Sequence, residues 1–189
     1  MKGSNGAGMT GFLFLLRGAS YAELGDADKA LNDYSAAIKL EPDIDIAYDL
    51  RGEVFANRGD WSSAQADFDA SIAHSGSRGS LAAAVAEKAW LFATWPDPAM
   101  RDGPNAVALA LRAIKLRNNA LNHDVLAAAY AETGRFDDAA REEADAISRV
   151  HGKTDDRELP GFKERLALYG AKMPFHTRLP FPLSPRVDL

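Results

Sequence analysis

The sequence predicts an all-α fold, a stack of antiparallel helix hairpins (α-solenoid). Three observations carry that prediction. Residue types recur at a spacing of 34, with Gly18, Tyr21, Gly25, Ala30 and Tyr34 returning as Gly52, Phe55, Gly59, Ala64 and Phe68. A period of this length belongs to helix–turn–helix units that bury their apolar faces only against neighbouring copies. Within each unit, apolar or small residues fall three and four apart, the period of a helix and not of a strand. Finally, Ala-rich segments alternate with charged ones in a chain that is 47% apolar and 26% charged, enough for one extended core in a single domain.

Residues 1–10 are Gly-rich and read as a flexible leader. The apolar run Phe12-Leu13-Phe14-Leu15-Leu16 is too short for a signal sequence or membrane anchor and stops at Arg17. Phe14, Arg17, Gly18 and Tyr21 instead share one face of a first helix. The first unit, residues 11–44, turns at Gly25-Asp26 into a second helix carrying Ala30, Leu31, Tyr34, Ala37, Ile38 and Leu40. Gly18 and Ala30 are small because paired helix axes approach to about 8–10 Å, while Tyr21 and Tyr34 fill the space beside them. Gly25 and Gly59 suit the left-handed residue that ends a helix. Asp26 and Asp60 then cap the next helix, each cap contributing about 1 kcal/mol.

The second unit, residues 45–78, repeats the pattern and runs into a Gly-Ser hinge at Gly76-Ser77-Arg78-Gly79-Ser80. The third, residues 80–118, has a longer connection from Trp95 to Gly103, with Asp102 as a cap and Pro104 in the first turn of the following helix. In the fourth, residues 120–152, Ala127, Tyr130, Gly134, Ala139 and Ala146 return, but Glu143 replaces the second aromatic. A Glu on the face that would meet another unit predicts that the stack ends there and turns polar residues to water. Residues 156–172 read as a capping helix with Leu159, Phe162, Leu166 and Tyr169 on one stripe. Pro174, Pro180, Pro182 and Pro185 make residues 173–189 an extended tail.

The recurring residues resemble the tetratricopeptide repeat: Gly18, Tyr21, Gly25, Ala30, Tyr34, Ala37 and Pro42 match its pattern in full, and the second unit departs only at Ser71 and Gly76. The stretches around Ala89-Trp90-Leu91-Phe92, Arg101-Asp102-Gly103, Val125 to Gly134 and Arg165 to Tyr169 are similar to the C-terminal half of a bacterial group of such proteins. The resemblance spans roughly residues 11–174 and implies a right-handed superhelix with a concave groove and no activity of its own. It also implies which residues line that groove. They are Phe12, Leu15, Ala19, Ala22 and Glu23 in the first unit, Ile46, Asp49, Glu53, Ala56 and Asn57 in the second, and Leu121, Asp124, Ala128, Ala131 and Glu132 in the fourth. Trp90 or Trp95 adds an aromatic anchor from the third. A subgroup of the family clamps C-terminal carboxylates with Lys, Asn and Arg, but Leu15 and Ala19 stand at the corresponding places and cannot donate a hydrogen bond from their side chains.

Chemistry beyond binding finds little footing in the residues. The net charge of −5 and a pI near 5.4 argue against a nucleic-acid partner, which needs clustered Lys and Arg. No Cys is present, so neither a disulfide framework nor a thiolate metal site forms. His74, His123, His151 and His176 are scattered without metal-ligand spacing, and no cofactor is expected. His123 lies on an inner helix, where structure is the simpler role and ligand contact the sharper one. The adjacent acids Glu142-Glu143 and Asp155-Asp156 point about 100° apart on a helix and read as solvated faces. Only the loop with Asp97, Arg101 and Asp102 offers polar groups to converge on a substrate, and it lacks a nucleophile.

The expected function is therefore a non-catalytic scaffold holding a peptide or helix of another protein, one with Lys or Arg and a few apolar side chains to suit an acidic groove. The alternative is a repeat segment of a larger enzyme or secretion machine, self-associating through Phe12, Leu13 and Leu15 as a possible homo-oligomer. With no signal or membrane-spanning run in the sequence, the expected compartment is the cytoplasm.

Overall fold

The computed structural model describes residues 4–150 and 159–177, and for residues 4–9 only the backbone. Among these residues the chain is all-helical: α1 (Ser4–Glu23), α2 (Ala27–Leu40), α3 (Asp45–Asn57), α4 (Trp61–His74), α5 (Arg78–Thr94), α6 (Gly103–Leu116), α7 (Ala120–Glu132), α8 (Phe136–Ser148) and α9 (Leu159–Gly170), with a short 3₁₀ turn at Pro98–Met100. Consecutive helices pack as antiparallel pairs. None of them is long and apolar enough to cross a membrane. The single domain expected from composition is divided: contacts gather into two compact units, one ending at Ser80 and the other beginning at Leu81.

The first unit holds two hairpins of one design. Leu15, Ala30, Tyr34, Ala37, Ala47, Leu50 and Val54 form its core, with Phe14, Tyr21 and Ile46 packed at the edge. Tyr34 and Phe68 are buried at 1% and 2% exposure. Each ring lies against a glycine of the preceding helix. A Cβ on Gly18 would sit 2.7 Å from the Tyr34 ring, and one on Gly52 would sit 3.3 Å from Phe68. Gly25, Gly59 and Gly134 all close their hairpins in the left-handed region, at φ of 77°, 80° and 76°. Asp26 accepts from the Lys29 backbone N–H and Asp60 from that of Ser63, so both caps form. Tyr21 differs from expectation: it is only half-buried at the edge of the core, with the Lys29 ammonium over its ring at 5.1 Å.

Sequence reading missed a second element of the repeat. Arg17 donates from Nε and Nη2 to Asp33, at 2.7 and 2.8 Å, and Arg51 does the same to Asp67, at 2.8 and 2.7 Å. Both pairs return at the period of 34, and each clamps the two helices of one hairpin through a forked bond that fixes direction as well as distance. The leader expected over residues 1–10 also differs, since α1 is helical from Ser4. Extending an existing helix adds a hydrogen bond per residue and avoids the cost of nucleation, so even a Gly-rich run can continue it.

The second unit contains the tight pair α7–α8, with α6 packed on α7 and α9 on α8. Ala127, Ala131, Ala139 and Tyr169 form one buried cluster, and Ala120, Ala146 and Phe162 another. The Glu143 expectation is overturned. Its carboxyl does not face water but is fully buried, because α9 lays Arg165 beside it at 3.6 Å. After α9 the backbone reverses at Lys172 (φ 57°), where the Met173 N–H returns to the Leu168 carbonyl at 2.9 Å. Residues 173–177 then run without regular structure. The remainder of the expected tail, residues 178–189, along with His151, Asp155 and Asp156, lies outside the described residues.

Candidate partner-binding surface

The inner positions of α1 and α3 differ sharply in exposure. Leu15 is consumed by the core of its own unit, Ala56 is buried, and Ala19, Ala22 and Ile46 are half-buried. Phe12, Glu23 and Asn57 are exposed. Between these extremes lie Asp49 and Glu53, one turn apart on α3 and both partly buried. Asp49 Oδ1 has no accessible surface and no hydrogen-bond partner. Burial raises the Asp49 carboxyl to about 7, the Ser71 hydroxyl opposes that rise, and the charges of Asp45 and Asp67 add to it. Burial, then the charge of Asp49, raises Glu53 to about 8. The helix thus brings two carboxyls together that resist carrying two negative charges at neutral pH, for want of a positive group.

The corresponding surface of the second unit is occupied from within. Arg165 of α9 donates to both oxygens of the fully buried Asp124, at 2.6 Å from Nε and 3.1 Å from Nη2. Burial, reinforced by the Asp124 charge and opposed by Arg165, pushes Glu143 up to about 11, so Glu143 is a neutral acid beside that ion pair. The same guanidinium lies 5.3–5.4 Å from the ring centres of Trp90, Phe162 and Phe175. Ala128 and Ala131 are buried, and Glu132 accepts from Arg101 Nε at 2.8 Å and pairs with His176 Nε2 at 2.8 Å. Leu121 packs half-buried on the Ala146–Phe162 cluster. Asp124 and Ala128 are therefore inside the unit and do not line an open trough. Trp90 and Trp95, at 3% and 6% exposure, are likewise interior.

Other polar groups have local duties. Asp97 caps the 3₁₀ turn through the Ala99 N–H, Asp102 caps α6 through that of Asn105, and Arg101 donates to the Trp95 and Pro96 carbonyls as well as Glu132. The polar groups of this loop are engaged by backbone atoms and by Glu132. His123 is buried at 7% exposure, its Nδ1 2.7 Å from Glu142 and 3.2 Å from Asp145, its Nε2 2.9 Å from Asn118 Oδ1. His123, Glu142 and Asp145 are the one grouping among the described residues with metal-ligand character. The 2.7 Å contact is a hydrogen-bond length, and the pair joins α7 to α8 as Arg–Asp pairs join the earlier hairpins. That duty is structural. His74 stacks on Tyr48 at 5.3 Å and meets Asp43 at 3.1 Å.

Comparison with known proteins places this geometry in context. Residues 12–44 match the family model described as Tetratricopeptide repeat. No curated protein matches the chain. Among solved structures, the chain is similar to one titled "Crystal structure of MamA protein", at 18% identity and a TM-score of 0.54, over 87% of this chain and 90% of that one. At that identity the likeness is one of fold.

Proposed function

We propose that this tetratricopeptide-repeat protein is a non-catalytic interaction scaffold whose α1–α3 face receives a peptide or helix of another protein, and that a Lys or Arg of that partner meets Asp49 and Glu53. The observation that carries the reading is the carboxyl pair itself. Two acids held at about 7 and 8 are costly to ionise as they stand, and a cation seated between them repays the ionisation. The exposed Phe12 and the half-buried Ile46 offer apolar contact to flanking side chains. Panning a random peptide library against the full chain tests it. Enrichment of Lys or Arg next to apolar residues, lost against Asp49→Lys/Glu53→Lys, is the expected result. Enrichment that ignores charge, or survives the reversal, refutes it.

A second reading rests on Phe12 and Leu13, which are 52% and 58% exposed. On that reading the N-terminal edge docks against further repeats or another copy. Leu15, at 3% exposure, takes no part in such an edge, so the patch is smaller than the sequence suggests. Light scattering of wild type and Phe12→Asp/Leu13→Asp decides it: concentration-dependent mass that the variant loses supports docking, and a monomer throughout removes it.

A further inference from the structure

We infer that the inner face of the second unit is itself a segment-binding surface, currently filled by the chain's own residues 173–177, and that it accepts an external segment presenting an aromatic residue followed by one that hydrogen-bonds to a carboxylate. Unlike the proposal for α1 and α3, this rests on an occupant already in place. Phe175 packs on Trp90 at 5.9 Å between ring centres and lies under the Arg165 guanidinium at 5.4 Å. His176 Nε2 meets Glu132 Oε2 at 2.8 Å, and the Thr177 N–H donates to the Thr94 carbonyl at 2.7 Å. A ring, an imidazole nitrogen facing a carboxylate and a backbone N–H, on three successive residues, are read by separate groups on α5, α7 and α9. That is how a peptide groove reads an extended ligand: backbone bonds give register and side-chain contacts give selectivity.

The occupant is lightly held. Lys172, Met173, Pro174 and His176 are exposed, and only Phe175 and Thr177 are half-buried. The segment has no helix or strand ladder of its own, so it belongs to the part of a fold that opens at low cost. The receptor, by contrast, is rigid. Arg165 is fixed by its forked bond to Asp124, and Glu132 by Arg101. A fixed receptor with a loosely held ligand exchanges that ligand for another of the same chemistry. Because the tether keeps residues 173–177 at an effective concentration on the order of millimolar, an outside segment must either bind well or arrive where the tether's hold is weakened.

The test is fluorescence anisotropy with a labelled peptide of residues 171–177 as the probe, titrated with the full chain. Wild type is expected to bind it weakly. Phe175→Ala/His176→Ala in the full chain empties the surface and should bind at least about tenfold more tightly, and a probe carrying Phe175→Ala should lose that gain. His176→Ala alone, at an exposed residue, keeps the measurement valid should the double variant misfold, with circular dichroism as the check. Equal affinity for wild type and variants, no binding to either variant, or indifference to the ring in the probe would each show that residues 173–177 are a fixed part of the cap. Failure of this test leaves the Asp49–Glu53 proposal untouched, since no residue is shared.

Discussion

At the scale of single residues, burial decides which side chains matter, and for the large rings burial was legible. Tyr34 and Phe68 stand where the 34-residue period demands an aromatic beside a glycine, and both are core. Tyr34→Ala or Phe68→Ala should cost roughly 3–5 kcal/mol by leaving a cavity, read as a shift in the urea midpoint. Tyr21→Ala, at a half-buried ring, should cost distinctly less. Glu143 was misread for a physical reason: a lone acid in an apolar stripe gives no sign of the Arg165 that will reach it from another helix, outside the repeat register. The raised carboxyls of Asp49 and Glu53 were also invisible, although the resemblance placed both residues, because protonation depends on burial. Their linkage has a definite sign. Ordinary values of 3.8 and 4.5 rise to about 7 and 8 on folding, so the native state holds more protons than the unfolded chain between about pH 4 and 8. Stability from this pair is full below that window and is lost as pH rises through it. Asp49→Asn/Glu53→Gln should therefore flatten the fall in Tm between about pH 4 and 8, and a fall of unchanged slope would place its origin elsewhere.

At the scale of elements, glycine and aspartate punctuation was readable because it acts locally. Gly25 and Gly59 end helices by adopting a conformation other residues resist, and Asp26 and Asp60 begin the next ones through bonds within three residues. What joins helix to helix was less readable. The Arg17–Asp33 and Arg51–Asp67 forks do recur at the same period as the glycines, and a search for repeated charges would have found them. Arg165 has no such repeat, yet it ties α9 to α7 through one buried ion pair and to α5 through the Trp90 ring, and lies over Phe162 of its own helix and Phe175 beyond it. Arg165→Ala removes the cation that pairs with the fully buried Asp124 and should destabilise the second unit by about 3–5 kcal/mol. Arg165→Ala/Asp124→Ala should recover part of that loss, since the stranded charge goes with its partner. If the double variant is no better than the single one in denaturant titration, packing of the guanidinium against the rings carries the effect and not the charge pair.

At the scale of the whole molecule, a net charge of −5 biases the chain toward cationic partners before any contact forms. Long-range attraction of this kind is screened over about 8–10 Å at physiological salt, so it affects the rate of encounter, while Asp49 and Glu53 act at contact. The two contributions separate experimentally with a Lys-containing peptide recovered by panning. Raising salt should slow association and leave dissociation nearly unchanged, as rim and long-range charge do. Raising pH from about 6 to 8.5 should tighten the complex, because a cation binds the ionised pair and the free protein must otherwise shed protons to receive it. Calorimetry in buffers of different ionisation enthalpy should accordingly show proton release on binding near neutral pH, and Asp49→Asn/Glu53→Gln should abolish the release while leaving the salt dependence of association. Binding without proton release in wild type would mean that the cation settles on exposed acids such as Glu23, with the buried pair left protonated.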